Sequence, residues 1–339
     1  MALKEVFAPH LNRNVKFGRT RPVARTPRLR LRDYLQASLA APPGSTDYSA
    51  KALPSLNNIY QNDVLGCCVI SSGYHVVGVE TGNAGDLFVA TTNSQNVVGT
   101  DITIDYGAIG GYVPNNPSTD NGCNEDTALN YWQQHGFRNG KKLLGSINVD
   151  PTNKTEIMQC LYLFENLILC LELPDTYVNP FPSANGFTWD TGTPDPNNGH
   201  SIMAYGYNST GVLIDTWGLL GTMTWAAVAE LCSASNGGSL NAVITDMQLA
   251  AGAAKAPNGV AWHDLVSDFD SLGGSVPVPP APTPAPPVPT PPAPGTAPTL
   301  AQAEAAVTAA FNANHALLLR GQAISIANNA LKPLWPAGK

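Results

Sequence analysis

Twelve prolines between Val276 and Pro298 constrain this chain more than any other feature. Each proline fixes φ and removes a backbone donor, so the run can enter neither helix nor sheet. It predicts an extended polyproline spacer of roughly 3 Å per residue, some 70 Å if straight. Folded parts must therefore lie on either side of residues 276–298. On the far side, Thr299 stands in N-cap position. Leu300, Ala303, Val307, Ala310, Phe311 and Leu318 then recur at helical spacing, with Gly321 as a break. About 30 residues cannot bury a core alone. Residues 299–339 are thus expected to be a helical docking segment that needs a partner surface.

The near end is set apart by charge. The whole chain carries −7, with only 13% charged residues, about half the usual share of roughly 25%. That average hides a split. Residues 1–32 hold nine basic residues (Lys4, Arg13, Lys16, Arg19, Arg21, Arg25, Arg28, Arg30 and Arg32) against one acid, Glu5. The arm is therefore +8 and the remainder −15. A basic, extended arm of this kind can dock on a partner protein, on nucleic acid, or back on its own acidic body. Only Phe7 and Phe17 could stack on bases, and Arg19–Arg32 holds no aromatic residue, which argues against nucleic acid. Protein partners are expected at the arm and at residues 299–339.

The remaining body, residues 33–275, has 43% hydrophobic content chain-wide behind it, enough for a sizeable core. No apolar stretch approaches the roughly 20 residues of a membrane span, so no membrane association is expected. Met1-Ala2-Leu3-Lys4-Glu5 opens without an apolar run, so no secretory signal is expected either. Helical patterns run over Cys68–Thr81, Glu125–His135 and Thr155–Leu163. Short apolar or alternating runs at Leu167–Leu173, Ser201–Tyr207, Gly211–Thr216 and Ala242–Met247 predict strands. Helices first and strands later indicate an α+β fold. The six cysteines (67, 68, 123, 160, 170 and 232) show no metal-site or disulfide-framework spacing. No phosphate loop or paired-carboxylate pattern is present, so neither metal nor cofactor is expected.

Three segments carry chemistry when taken together. In Asn57–Ile70 a polar, turn-prone stretch ends at Gly66-Cys67-Cys68 where a helix begins. A thiol at a helix N-terminus meets the positive end of the dipole and unpaired N–H groups, both of which favour thiolate. In Asn197–Tyr207 a histidine, His200, stands at the mouth of an apolar strand. In Val212–Gly218 a short strand ends at Asp215, followed by Thr216-Trp217-Gly218. The order Cys, then His, then a polar orienting residue resembles that of papain-like cysteine proteases. Gly66-x-Cys68 resembles the nucleophile segment, Gly199-His200 with Tyr205-Gly206-Tyr207 the histidine strand, and Asp215-Thr216-Trp217-Gly218 the family's Asn-Ser-Trp-Gly. Gly122–Trp132 resembles a helix of the left-hand lobe. Asn62-Asp63-x-x-Gly66-x-Cys68, with His75 and the late Met223-Thr224-Trp225, is similar to a divergent papain-like group common among bacteriophage and bacterial proteins. The resemblance spans roughly residues 33–275.

That resemblance implies a two-lobed papain-like fold, with the cysteine on a helical lobe and histidine and aspartate on an antiparallel β lobe. It implies a thiol hydrolase acting on peptide or amide bonds: Cys68 attacks, His200 takes its proton, Asp215 orients the imidazole, and Asn62 donates to the oxyanion. Cys67 with Gln61 is the alternative register, since Gln61 lies six residues before Cys67 as Asn62 does before Cys68. It equally admits a catalytically weakened scaffold, serving as a structural, decoration or attachment protein of a phage particle. Capsid or tail proteins would then meet the arm and residues 299–339. The corresponding locations are the host cytoplasm or the virion. Departures from the family pattern are Asp for Asn at 215, Asn for Gln at 62, and Val69 where an aromatic residue is usual. Each candidate also has a plain structural reading: Cys68 an inert buried thiol, His200 and His75 satisfied core histidines, Asp215 a strand-end carboxylate. On the same reading Trp217, Trp225 and Tyr205 are core packing, and Glu125 and Asp126 are cap and dipole partners of a helix.

Overall fold

A computed structural model describes residues 3–21, 29–34, 41–92, 99–138 and 140–245. The proline run and residues 299–339 lie outside them, as do Arg25 and Arg28. In chain order the elements are β1 (Glu5–Ala8), β2 (Arg13–Lys16), β3 (Leu29–Arg30), β4 (Thr46–Asp47), α1 (Leu53–Leu56), α2 (Cys68–Ala84), α3 (Asp101–Gly110) and α4 (Glu125–His135). Then come β5 (Leu143–Asn148), α5 (Lys154–Phe164), β6 (Leu167–Pro174), α6 (Asp175–Val178), β7 (Phe187–Trp189), β8 (Pro194–Tyr207), β9 (Gly211–Thr216), β10 (Leu219–Thr224), α7 (Trp225–Leu231) and β11 (Ser239–Thr245). The fold is α+β, helix-rich first and antiparallel later. The expected helices and strands are found near their bounds, except that β8 starts seven residues earlier than its apolar run. β11 ends the described residues and begins before Ala242. The additions include the β1–β2 hairpin, the α3 and α7 helices and the strands β5 and β10, besides the shorter elements β3, β4, β7, α1 and α6.

Nine strands form one mixed but largely antiparallel sheet in the order β3-β5-β11-β6-β8-β9-β10-β7, with β4 paired to β8. Side chains alternate across a strand, and here both faces are covered. In β6, Leu167, Leu169, Leu171 and Leu173 face one core while Ile168 and Cys170 face the other. In β8, Ile202 and Ala204 join the first core, and Met203 and Tyr205 the second. The first core is closed by α5, α7 and the N-terminal hairpin through Ala8, Val15 and Phe17. The second is closed by α1 to α4. Helix α2 is buried on every side from Cys68 to Gly82, which is why its sequence is apolar all round rather than striped. Its polar side chains are tied down: Glu80 accepts from Asn166 (3.2 Å) and Thr245 (2.6 Å), and Ser72 shares a 2.8 Å hydrogen bond with Ser201 of β8.

The basic arm packs on the acidic body. Lys4 pairs with Asp175 and Asp195, Arg13 with Asp63, Lys16 with Asp120, Arg19 with Glu125, Arg21 with Glu172 and Arg32 with Asp150. Residues 3–21 are not merely extended. They form a hairpin that buries Ala8 and Val15, and then an extended segment bridged to Cys123 at Arg19. Among the described residues no helix is long and apolar enough to cross a membrane.

Candidate functional site

Cys68 is the first residue of α2, as the Gly66-x-Cys68 pattern predicts, and is fully buried. Its Sγ faces the backbone N–H groups of Gly18, Ser201 and Val69, with the Arg19 charge nearby, and all of these favour thiolate. Burial outweighs them and pushes the thiol up to about 11. Cys67 turns the other way. Its Sγ lies 3.5 Å from the Tyr60 carbonyl and 3.6 Å from Ser71 Oγ, inside the helical core, and burial raises its thiol well above the ordinary value. Gln61 Oε1 accepts from Thr100.

His200 and Asp215 do not meet, and strand parity is the reason. On β8, His200 shares a face with Ile202 and Ala204, toward the first core. On β9, Asp215 pairs across from Met203 and faces α2 and the second core; its neighbour Thr216 faces the first. Thr216 Oγ1 therefore hydrogen-bonds His200 Nε2 at 2.9 Å. His200 Nδ1 has no hydrogen-bond partner among the described residues. Asp215 Oδ2 lies 3.0 Å from Nδ1 of His75, two turns along α2 from Cys68, off the line of a good hydrogen bond but at ion-pair distance. Burial raises Asp215, and His75 partly offsets that rise. Thus the expected pair of His200 with Asp215 is replaced by His200–Thr216 and His75–Asp215. His75, read as a satisfied core histidine, is the partner of a buried carboxylate.

The turn after β9 completes the surroundings of His200. Thr216 pairs with Leu219, leaving Trp217 and Gly218 as a two-residue hairpin loop with φ of 47° and 72°. Positive φ at both centres is the hairpin geometry that matches strand twist. It lays Trp217 flat on the imidazole, with ring centroids 3.9 Å apart and planes 8° apart. Phe17 of the arm meets both rings edge-on, at 6.1 and 5.8 Å. Enclosed in this way, His200 stays neutral down to about 3. Asn62, His75, His200, Asp215, Thr216 and Trp217 line one small cavity of ≈ 10 Å³, about enough for a single water. Asn62 is thus brought beside both histidines, while Cys68 lies outside that lining, against Ser201.

What covers Cys68 is the arm. Arg19 N–H donates to the Gly199 carbonyl (3.0 Å), Cys123 N–H to the Gly18 carbonyl (2.9 Å), and Thr20 N–H to the Cys123 carbonyl (3.1 Å). The strand therefore bridges the loop before α4 and the strand that bears His200. Glycines make the approach possible. A Cβ on Gly122 would stand 1.9 Å from the Gly18 carbonyl oxygen, and one on Gly199 2.0 Å from the Arg19 oxygen. The Arg19 side chain is wholly buried and points toward Glu125, Nη2 to Oε2 3.8 Å. Glu125 is therefore more than a dipole partner at a helix start; it also accepts a hydrogen bond from Ser239. Asn124, not Glu125, caps α4 by accepting from Thr127 N–H. Phe17, Gly18 and Arg19 stand in no motif, and Thr216 stands in one that gives the role to its neighbour Asp215. Among the described residues no cluster of His, Cys, Asp and Glu could hold a metal ion.

Comparison with solved structures returns cysteine proteases of papain-like type. Xylellain, a cysteine protease from Xylella fastidiosa, matches at 11% identity over 72% of this chain and 98% of its own, with a TM-score of 0.47. Digestive procathepsin L 3 of the Tenebrio molitor larval midgut matches at 12% over 66% and 75%, TM-score 0.46. A procathepsin B from Trypanosoma congolense matches at 9% over 66% and 85%, TM-score 0.43. No family model and no curated protein sequence matches.

Proposed function

We propose that the chain is a papain-like cysteine peptidase held latent by its own N-terminal strand. The observation that carries this reading is the strand Phe17–Thr20, bonded across the groove between Cys68 and the β8 strand of His200. Cys68 is the nucleophile, because a helix N-terminus and three backbone N–H groups converge on its sulfur. His200 is the base, and Asn62 the carboxamide that faces the same cavity. In the latent state neither partner is poised: burial keeps the thiol protonated and the imidazole neutral, and Thr216 rather than Asp215 holds the ring. Water entering a vacated groove relieves both desolvation costs, lowering the thiol and raising the imidazole toward a reactive pair.

The test loosens the arm without touching the groove. Lys16→Ala with Arg21→Ala removes two of its ion pairs to the body, those with Asp120 and Glu172. The doubly substituted full chain should label at Cys68 with an epoxide inhibitor and hydrolyse a peptide library, while the unaltered chain does neither. A second reading keeps the fold as a scaffold, a structural component of a phage particle. The pairing of Asp215 with His75 favours it, since the carboxylate is held by His75 while Thr216 holds His200. Failure of the loosened arm to expose a reactive Cys68 decides for the scaffold.

A further inference from the structure

The arm's hold on the groove has the form of strand addition, in which main-chain bonds give affinity and side-chain pockets give selectivity. The three backbone bonds at Gly18, Arg19 and Thr20 need no particular sequence. Selectivity lies in what flanks them. Phe17 fills the aromatic corner made by His200 and Trp217. Gly18 passes Gly66 so closely that a Cβ would stand 1.8 Å from the Gly66 oxygen. Arg19 enters a closed pocket with Glu125 at its end, where its charge reaches the thiols of Cys68, Cys170 and Cys232.

The fit of that arginine is incomplete. Its side chain has no exposure, yet Nε, Nη1 and Nη2 make no hydrogen bond among the described residues. The carboxylate is near enough to neutralise the cation and too far to accept from it. A buried guanidinium with unmade bonds holds less tightly than its burial suggests. The pocket is therefore matched in charge and depth to a guanidinium, and its present occupant is replaceable.

We propose that this groove binds extended peptides containing a glycine–arginine pair, the arginine side chain entering the Glu125 pocket in place of Arg19. The proposal rests on reading the groove as a peptide-binding cleft; it does not require that the bound peptide be cut. The recognised feature is a planar cation one residue after a glycine, with an aromatic residue before that glycine. Arginine suits the pocket better than lysine, because a guanidinium is more weakly hydrated than an ammonium.

The experiment uses the full chain carrying Cys68→Ala, so that turnover cannot consume the probe, together with Arg19→Ala to empty the pocket. The probe is the fluorescein-labelled hexapeptide Val-Lys-Phe-Gly-Arg-Thr, the sequence of residues 15–20, followed by fluorescence anisotropy. Saturable binding is expected, at least about tenfold tighter than for the same peptide with citrulline at arginine, a neutral analogue of equal shape. Adding Glu125→Gln should abolish that preference. If Arg19→Ala fails to fold, judged by circular dichroism, Lys16→Ala with Arg21→Ala in the Cys68→Ala chain provides a second background. The resident arm competes in both backgrounds at high effective concentration, but in the second it keeps its own arginine, so binding weakens while arginine still outranks citrulline. No saturable binding in a folded background, or equal binding of the two peptides, overturns the proposal. Binding with the expected preference, in a chain whose intact Cys68 never cleaves, would refute the peptidase and leave this inference standing. Cleavage of peptides with no preference for arginine would do the reverse.

Discussion

Replacing Gly18 by alanine should turn Cys68 from an inert thiol into a reactive one. A Cβ at this position would lie 1.8 Å from the Gly66 oxygen and 2.1 Å from its carbonyl carbon, both backbone atoms that cannot rotate away. The strand must therefore lift, and with it the cover over Sγ. At pH 7.5 a thiol at about 11 is ionised to about 0.03%, whereas one returned to 9.0 is ionised to about 3%. Ionisation alone thus predicts about a hundredfold faster alkylation, equivalent to ~2.7 kcal/mol, before any gain in access. The assay is iodoacetamide labelling at Cys68 followed by mass spectrometry between pH 6 and 11. In the unaltered chain the logarithm of the rate should climb with unit slope to about pH 11. In Gly18→Ala it should level off near the ordinary thiol value. A folded Gly18→Ala chain with an unchanged rate profile would refute the claim that the arm controls this thiol.

Other outcomes follow from the same contacts. His200 is neutral down to about 3 when folded and titrates near 6.5 when unfolded, so its contribution is full above pH 6.5 and is lost as pH falls toward 3. Urea unfolding of His200→Gln and the parent chain should show their stability gap shrinking by ~2.7 kcal/mol from pH 7.5 to 4.5; a constant gap contradicts the burial argument. His75→Gln leaves Asp215 buried beside a neutral amide. It should cost about 1–3 kcal/mol of stability and drive the Asp215 carboxyl still higher, read by carbon NMR. Arg19→Ala should cost ~3–5 kcal/mol by removing the cation beside buried Glu125, with part of the loss regained in Arg19→Ala/Glu125→Gln. A loss below ~1 kcal/mol would mean that the pair is not coupled.

Much of the fold could be read directly from local pattern. Gly66-x-Cys68 marks a helix start because a turn-prone segment meets an apolar run there, and α2 begins at Cys68. The run from Leu167 is a strand buried on both faces, which continuous apolar character implies. The site was less legible because its pairings depend on strand parity. Asp215 and Thr216 are adjacent in sequence and opposite in space, and only the register of β9 on β8 decides which reaches His200. Arg19 had no local mark either. Among nine basic residues it is the one preceded by a glycine that passes another glycine, and that closeness is a tertiary fact. His75 was visible on the Cys68 face of the helix, but its partner lies 140 residues further along the chain.

The glycine-walled groove has a kinetic consequence. When the strand leaves, Cys123 loses both of its main-chain bonds, the Gly199 carbonyl loses its donor, and Glu125 loses the cation beside it. Water takes up these groups when the groove opens, so the open form lies above the closed one by the net worth of the exchanged bonds. Opening is then better described as exchange than as release: an incoming strand takes over the bonds one by one as the arm gives them up. The rate of such a swap should depend on the concentration of the newcomer, as a branch-migration process does, and not on spontaneous departure of the arm.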